Sequence, residues 1–477
     1  MKRMFIAGQW VAAHDERSLP VHDPCDGAEF ERIPRGGAAD VDAAVAAARA
    51  ALAGPWGRMT ATERGRVLMR ISKGIADDAE ALAQIEARDT GKPLATARND
   101  IAVLARYFEF YAGAADKVHG QTIPFAAGHQ VLLLREPLGV TAHIVPWNYP
   151  AQMLGRTVAP ALAMGNAAVL KPAEDTPLSA LRVAEIAQAA GLPDGAFNVV
   201  TGLGEEAGAA LAGHPGIDFV SFTGSREAGA AVQSAAARNA VKCVLELGGK
   251  SPQIVFADAD LDRALPIVLR AIVQNAGQTC TAGSRLLVQR PIYEAFVGRV
   301  ADGFARLAAG TPAMDLDCGP LMNAPQQRRV QGYIDRARAG GVAVLAEGRI
   351  ADGVAASGHW VKPTLFGPVP REHALATEEV FGPVLAAMPF DDEADAVALA
   401  NATEYGLLAA VWTDSGGRQL RMAKALKVGQ VFVNGYGAGG GVELPFGGTK
   451  RSGHGREKGL LALEEMSNCK TVVLYHG

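Results

Sequence analysis

Cys280, in "QNAGQTCTAGSRLLV", is flanked by small and polar residues, with glycines at Gly277 and Gly283. A thiol set among such neighbours can be reached by a small molecule, and its thiolate attacks electron-poor carbon. Taken alone, one cysteine in a large chain reads more simply as a small buried hydrophobe. Other stretches change that reading. Glu246 closes a strand-like run in "LELGGKSP"; an acid at the end of a buried strand is costly unless it is used or paired. Gly248 and Gly249 behind it allow another backbone to approach closely. Asn148, in "VPWNYP" beside Trp147, follows a second strand, where a side-chain amide can donate to a developing oxyanion. Lys171 and Glu174 in "LKPAED" follow a third and form a pair suited to sugar hydroxyls. In "FVSFTGSREAG" a strand ends at Thr223-Gly224 and Ser225 opens a helix, an arrangement that suits a pyrophosphate. Each has a plainer explanation as a turn, a surface ion pair or an ordinary cap.

The elements that must hold these residues alternate. Strand-like runs "VTAHIVP", "NAAVLKP", "AFNVV", "DFVSFTG" and "VKCVLEL" are separated by helical stretches at 177–190 and 205–212. Such alternation argues for an α/β fold with a parallel sheet covered on both faces. Ligands of such sheets bind beyond the carboxyl ends of the strands, where Asn148, Lys171, Glu174, Ser225 and Glu246 lie, while Cys280 falls on a loop between a helix and a strand of a second series. A second series begins at Ser251 with "PQIVFAD", "RLLVQR", "VAVLAEG", "FGPVLAAMPF", "LLAAVWT" and "GQVFVNG". The first hundred-odd residues read as helical, with "DVDAAVAAARAAL" opening on Asp40 and longer segments over 62–89 and 100–118. "HQVLLLREP" and "GVTAHIVP" look like a hairpin-like arm, and the tail "NCKTVVLYHG" suits pairing with that arm or with another subunit. Residues 434–459 are too glycine-dense for regular structure. "VVTGLGEEAG" nominally fits a dinucleotide fingerprint, but Glu205 and Glu206 would face the pyrophosphate, so it reads as a structural turn.

Composition removes several function classes. A chain of 477 residues needs two or three cores. A net charge of −4, with the signs mixed, leaves no footprint for nucleic acid or anionic lipid. Apolar runs are too short for a signal peptide or membrane span. The five cysteines are far apart with no CxxC pair, so neither disulfides nor a metal site are expected and a cytoplasmic setting fits.

Together "PWNYP", "LKPAED", "FTGS", "LELGGKSP", "GQTC", "EEVFGPV" and "PFGGTKRSGHGRE" resemble the NAD(P)-dependent aldehyde dehydrogenase superfamily, in order and over nearly the whole chain. The resemblance implies two Rossmann-like α/β domains and a small β bridging arm. It implies an NAD-binding domain over 1–117 and 139–246 with part of 441–466, a catalytic domain over 247–440, and an arm formed by 118–138 and 467–477. It implies a homodimer or homotetramer acting on a small-molecule aldehyde. Cys280 resembles the family nucleophile and Glu246 the general base. Asn148 and the Cys280 backbone N–H resemble the oxyanion hole. Trp147, Lys171, Glu174, Gly224, Ser225, Leu247, Glu379 and Phe381 match cofactor contacts. The carboxylate of Glu174 would repel a 2′-phosphate, which favours NAD over NADP. Glu246 weighs against an acyl-transferring relative, and no histidine falls in a motif that would suit a cysteine hydrolase.

Two positions depart from or refine the pattern. Thr157 stands where many relatives carry a lysine thought to relay protons, with Glu457 in "GREKG" still available. Arg156 aligns with an arginine that grips the carboxylate of semialdehyde substrates. Relatives of that kind often carry a second basic residue near Gln274, which is absent there. The substrate is therefore left open between an ω-carboxylated semialdehyde and an aliphatic or aromatic aldehyde.

Overall fold

The strand Ala167–Lys171 is buried at every residue, as are Val140–Ile144 and Phe219–Thr223. Strands apolar on both faces need cover on both faces, and helices supply it. The structure, a computed structural model, describes residues 1–437 and 441–477. An 8-stranded sheet runs Gln9–Val11, Met4–Ile6, Phe197–Val199, Ala167–Lys171, Val140–Ile144, Phe219–Thr223, Lys242–Glu246 and Gly453–His454. Its inner strands are parallel and its edges antiparallel. A 7-stranded sheet runs Val344–Glu347, Thr364–Phe366, Val384–Phe390, Arg285–Gln289, Pro252–Val255, Leu408–Trp412 and Gln430–Val433, parallel except at the first edge. Each sheet has its own hydrophobic core. A small third cluster of Leu407, Leu408 and Phe446 packs against Cys280.

In the first sheet the strands after Val140–Ile144 step one way, through Ala167–Lys171 to Phe197–Val199. The next strands, Phe219–Thr223 and Lys242–Glu246, lie on its other side. The order therefore reverses between Val140–Ile144 and Phe219–Thr223, and a crevice opens at such a switch point.

Several expectations need correction. "GVTAHIVP" is not part of an arm: Val140–Ile144 is a central strand, paired on both sides and buried throughout, Thr141 and His143 included. The arm is the antiparallel sheet of Gln121–Ile123, His129–Pro137 and Ser467–Tyr475, so the tail does pair with the early strand. The first residues are not all helical. Met4–Ile6 and Gln9–Val11 form a hairpin through Ala7 and Gly8, both left-handed at φ 53 and 75; a two-residue turn with positive φ matches the twist of the flanking strands. Ser18–His22 and Glu29–Pro34 form a second antiparallel pair. The helix expected over 62–89 breaks at Asp78 into Ala61–Asp77 and Ala79–Thr90, with Arg182 gripping the Asp78 carboxylate from Nε at 2.6 Å and Nη2 at 3.0 Å. The next helix begins earlier than expected, at Leu94 behind Pro93. In the glycine-rich segment only Lys450–Ser452 and Gly453–His454 are regular, and 438–440 lie outside the described residues. No helix among the described residues is long and apolar enough to cross a membrane.

Candidate active site

The loop that presents Cys280 is built against backbone preference. After the helix Leu261–Val273, three consecutive residues take left-handed angles: Asn275 at φ 50, Ala276 at 54 and Gly277 at 72. Non-glycine residues adopt that region at a cost, so the surroundings must hold them there. Asn275 Nδ2 donates to the Asn148 carbonyl at 2.8 Å, and Gln278 Oε1 accepts from the Met322 backbone N–H at 2.8 Å. A β-carbon on Gly277 would fall 2.1 Å from the Gly382 carbonyl oxygen, so the "GQTC" and "FGPV" segments touch backbone to backbone.

Beyond the switch point, one cavity of about 350 Å³ is lined by Trp147, Asn148, Gly224, Ser225, Glu246, Leu247, Cys280, Glu379 and Phe381. Residues scattered over more than 230 positions of sequence thus converge. Trp147 and Phe381 meet edge to face, centroids 5.4 Å apart, with Phe381 itself left-handed at φ 60. Ser225 caps the helix Arg226–Ala237, its Oγ accepting from the Ala228 N–H at 3.2 Å, so the positive end of that helix opens on the cavity. Gly248 and Gly249 are needed where they stand. A β-carbon on Gly248 would fall 2.3 Å from the Glu379 carboxylate, and one on Gly249 would fall 2.2 Å from the Cys280 carbonyl oxygen. Glu379 Oε1 accepts from the Gly249 N–H at 2.8 Å. Lys171 and Glu174 are not among the lining residues. They pair at 2.8 Å at the end of the adjoining strand, whose Lys171 carbonyl accepts from the Val145 N–H at 3.2 Å.

A second, narrower cavity of about 60 Å³ reaches the same sulfur from the other side. Tyr107, Tyr149, Gln152, Met153, Arg156, Gln274, Thr281, Tyr436, Phe446 and Lys458 line it. Among the described residues, Cys280 is the one that lines both cavities.

Burial controls the charges. It pushes the Cys280 thiol up to about 12, aided by the nearby Glu246 and Glu379 and opposed by Arg156. Glu246, 1% exposed, is pushed up to about 8 by burial, held back by Arg156 and pushed further by Glu457. Burial likewise lifts Glu379 to about 7. At rest the sulfur therefore holds its proton, and Glu246 is poised to exchange one near neutral pH.

A sequence model of the aldehyde dehydrogenase family matches residues 10–472. The chain belongs to that family. It is 42% identical over 470 residues to a hydroxyisobutyraldehyde dehydrogenase of Mycolicibacterium austroafricanum, covering 98% of this chain and 93% of the relative. Among solved structures it resembles a provisionally assigned aldehyde dehydrogenase from Burkholderia cenocepacia, 60% identical, with a TM-score of 0.99 over 100% of both chains. It also resembles the NAD+ complex of an aldehyde dehydrogenase from Bacillus cereus, 38% identical, TM-score 0.97, covering 100% of this chain and 97% of that one.

This aldehyde dehydrogenase departs from the sequence reading mainly in the narrow cavity. Thr157 Oγ1 donates to the Met153 carbonyl of its own helix at 3.0 Å, so it is turned into the backbone. Arg156, from the preceding position, is 5% exposed and lies between two carboxylates. Its Nε donates to Glu457 Oε2, its Nη2 lies 3.3 Å from Glu246 Oε2, and its plane stacks 4.3 Å from the Phe446 ring centroid. Gln274 Nε2 donates to the Tyr149 hydroxyl at 2.8 Å, which in turn meets Thr279 Oγ1 at 2.9 Å. Sequence reasoning missed Lys458, a second basic residue in this cavity, and Lys92, buried behind Asn148. Lys458 carries one available signal: it follows Glu457 inside a named motif. Its left-handed φ of 62 turns it into the cavity, which spacing does not reveal.

Proposed function

We propose that Cys280 attacks an aldehyde carbon and carries it through oxidation to the acid, with NAD in the larger cavity and the aldehyde in the narrower one. The observation that carries this reading is that Cys280 lines both cavities, so one sulfur faces a dinucleotide-sized cleft and a small-molecule channel. The cleft fits NAD: a helix N-terminus at Ser225 suits the pyrophosphate, Glu379 accepts ribose hydrogen bonds, and the glycine pair leaves room for a flat ring. Lys171 and Glu174 hold the adenosine ribose, and the Glu174 carboxylate disfavours a 2′-phosphate. The chemistry that bound NAD supplies is acceptance of a hydride.

The protein does the rest. Glu246 takes the Cys280 proton, and the thiolate bonds to the aldehyde carbon. Charge then gathers on the former carbonyl oxygen. Asn148 Nδ2 uses one N–H on the Gln278 carbonyl at 2.9 Å and offers the other, with the Cys280 backbone N–H, to that oxygen. Oxidation leaves a thioester on Cys280. Glu246, ionised again, takes a proton from water as the water oxygen bonds to the acyl carbon. The C–S bond breaks, its electron pair returns to sulfur, and the acid leaves.

The substrate is a small, uncharged aliphatic aldehyde, with a hydroxyl group favoured. Arg156 is already bound to two carboxylates and is not offered to a third. The cavity of about 60 Å³ is well under the about 150 Å³ that holds benzene in an apolar protein cavity, so bulky rings are excluded. Tyr149, Gln152 and Gln274 supply polar contacts beside Met153 and Phe446. The name of the 42% identical relative points to the same class. The protein is a cytoplasmic homodimer or homotetramer, organised as an NAD-binding domain over 1–117, 139–246 and part of 441–466, a catalytic domain over 247–440, and an arm over 118–138 and 467–477. The arm exposes Phe125, Val473 and Tyr475 at its surface, apolar residues that a partner subunit would cover.

The test is NADH formation with a panel of aldehydes. Small hydroxyaldehydes and short aliphatic aldehydes are expected to have the highest kcat/KM. NADP reduced as readily as NAD, or a carboxylated aldehyde leading the panel, would overturn the corresponding part.

A further inference from the structure

Arg156 is a buried cation between the base and a second carboxylate, and the surrounding groups fix it there. Its Nε is bonded to Glu457 Oε2, while Glu457 Oε1 accepts from Ser221 Oγ at 2.9 Å. Ser221 lies in the strand Phe219–Thr223, so Glu457 is anchored to the sheet that ends in the cofactor cleft. Phe446 covers the guanidinium plane. Nη2 has no hydrogen-bond partner and lies 3.3 Å from Glu246 Oε2, while both Glu246 oxygens lack one of their own. A bidentate grip on an incoming carboxylate would need both faces of a fork that already serves two acids.

We propose that Arg156 is a positioning residue for the base: braced by Glu457, it holds the Glu246 carboxylate in place and favours its ionised form. The proposal rests on the assignment of Glu246 as base and deepens it. In the resting enzyme Glu246 carries an attraction and a repulsion that oppose each other. The Arg156 charge lowers its affinity for protons, and the Glu457 charge and burial raise it. Other groups facing the pair are fewer in effect. Arg456 pulls in the same direction as Arg156. Cys280 faces Glu246, Tyr107 faces Arg156 from its helix, and Lys458 lies across the Phe446 ring. His143, paired in register opposite Ser221, is held neutral by burial, its proton affinity lowered to about 3. Losing Arg156 therefore pushes the base up, whereas losing the Glu457 charge lets it down. A merely structural network would not move the two variants in opposite directions.

The experiment is the pH profile of kcat, with the NADH burst of the first turnover, for the wild type, Arg156→Leu, Arg156→Lys and Glu457→Gln. In Arg156→Leu the midpoint of the rising limb is expected to move up by roughly one pH unit or more. Steady-state kcat should fall ~10-fold or more at neutral pH and the burst rate should fall with it, because Glu246 must be ionised both to take the Cys280 proton and to activate water. Arg156→Lys should restore part of the shift. In Glu457→Gln the midpoint should move down. Midpoints that stay put or shift together in Arg156→Lys and Glu457→Gln would overturn the proposal, whether or not Arg156→Leu folds. So would an Arg156→Leu enzyme with an unchanged profile and a KM raised only for carboxylated aldehydes. A wild type that forms no NADH from any aldehyde would instead refute the assigned reaction.

Discussion

Lys92 Nζ donates to the Asn148 carbonyl oxygen at 3.2 Å, tying a fully buried charge to the residue assigned to the oxyanion hole. The same ammonium donates to Asp100 at 2.6 Å and Glu86 at 3.2 Å, and stands 4.6 Å from the centroid of the Tyr149 ring. Gln152 closes the network by donating to Asp100 at 2.7 Å. The Asn148 loop is thus held from behind by Lys92 and from the front by Asn275.

Replacing Lys92 with alanine removes the only cation in that cluster among the described residues. Breaking such a buried pair costs about 3–5 kcal/mol, since it leaves an uncompensated charge in low dielectric. Thermal unfolding of Lys92→Ala should show a clear drop in Tm, and kcat should fall along with it as Asn148 loses an anchor. A variant with lowered Tm but unchanged kcat would show that Lys92 serves the fold alone.

The Gly249–Cys280 contact leads to a sharper expectation. A methyl group at Gly249 meets a backbone oxygen at 2.2 Å, which no side-chain rotation relieves. Gly249→Ala must therefore push the nucleophile loop away. Displacements of about 1 Å at a reacting group can cost ~10²-fold in rate, so kcat/KM should drop by that order while NAD affinity, read by fluorescence quenching, changes less.

Much of this site is legible along the chain because its residues sit inside distinctive motifs, at strand ends or in the loops that lead into strands. Cys280, Glu246, Asn148, Trp147, Gly224, Ser225, Leu247, Glu379 and Phe381 all reach one cleft for that reason. What the sequence does not show is orientation across long separations. Whether Arg156 meets a substrate or Glu457 depends on a loop 301 positions away. Lys92 is an unremarkable lysine until Glu86, Asp100 and the Asn148 carbonyl close around it. Val140–Ile144 is hard to place from sequence because only "REPLG" separates it from the strand-like run beginning at Val131, and nothing in the two runs tells an arm strand from a central one. The Ala7-Gly8 turn carries its own signal, a glycine in a two-residue turn between short apolar runs.

The raised proton affinity of Glu246 predicts opposite trends for activity and stability. Below about 8 its carboxyl holds a proton and cannot accept another, so kcat should climb as pH rises toward 8. In the unfolded chain the same group ionises near 4.5. Between those values the folded state binds more protons than the unfolded one, so this group's contribution to stability is lost as pH rises. The Tm of wild type relative to Glu246→Gln should therefore fall from pH 5 to pH 8. A flat difference across that window would show that Glu246 is ionised at neutral pH.

The central claim is that one sulfur carries the acyl group between oxidation and hydrolysis. It is tested most directly by acid-quenching wild-type enzyme during its first turnover with NAD and a short aliphatic aldehyde and taking the intact mass and peptide map. The account predicts an acyl adduct confined to the peptide bearing Cys280, formed with one equivalent of NADH, and absent from Cys280→Ala. NADH released steadily with no adduct, or an adduct on Cys25, Cys243, Cys318 or Cys469, would contradict it.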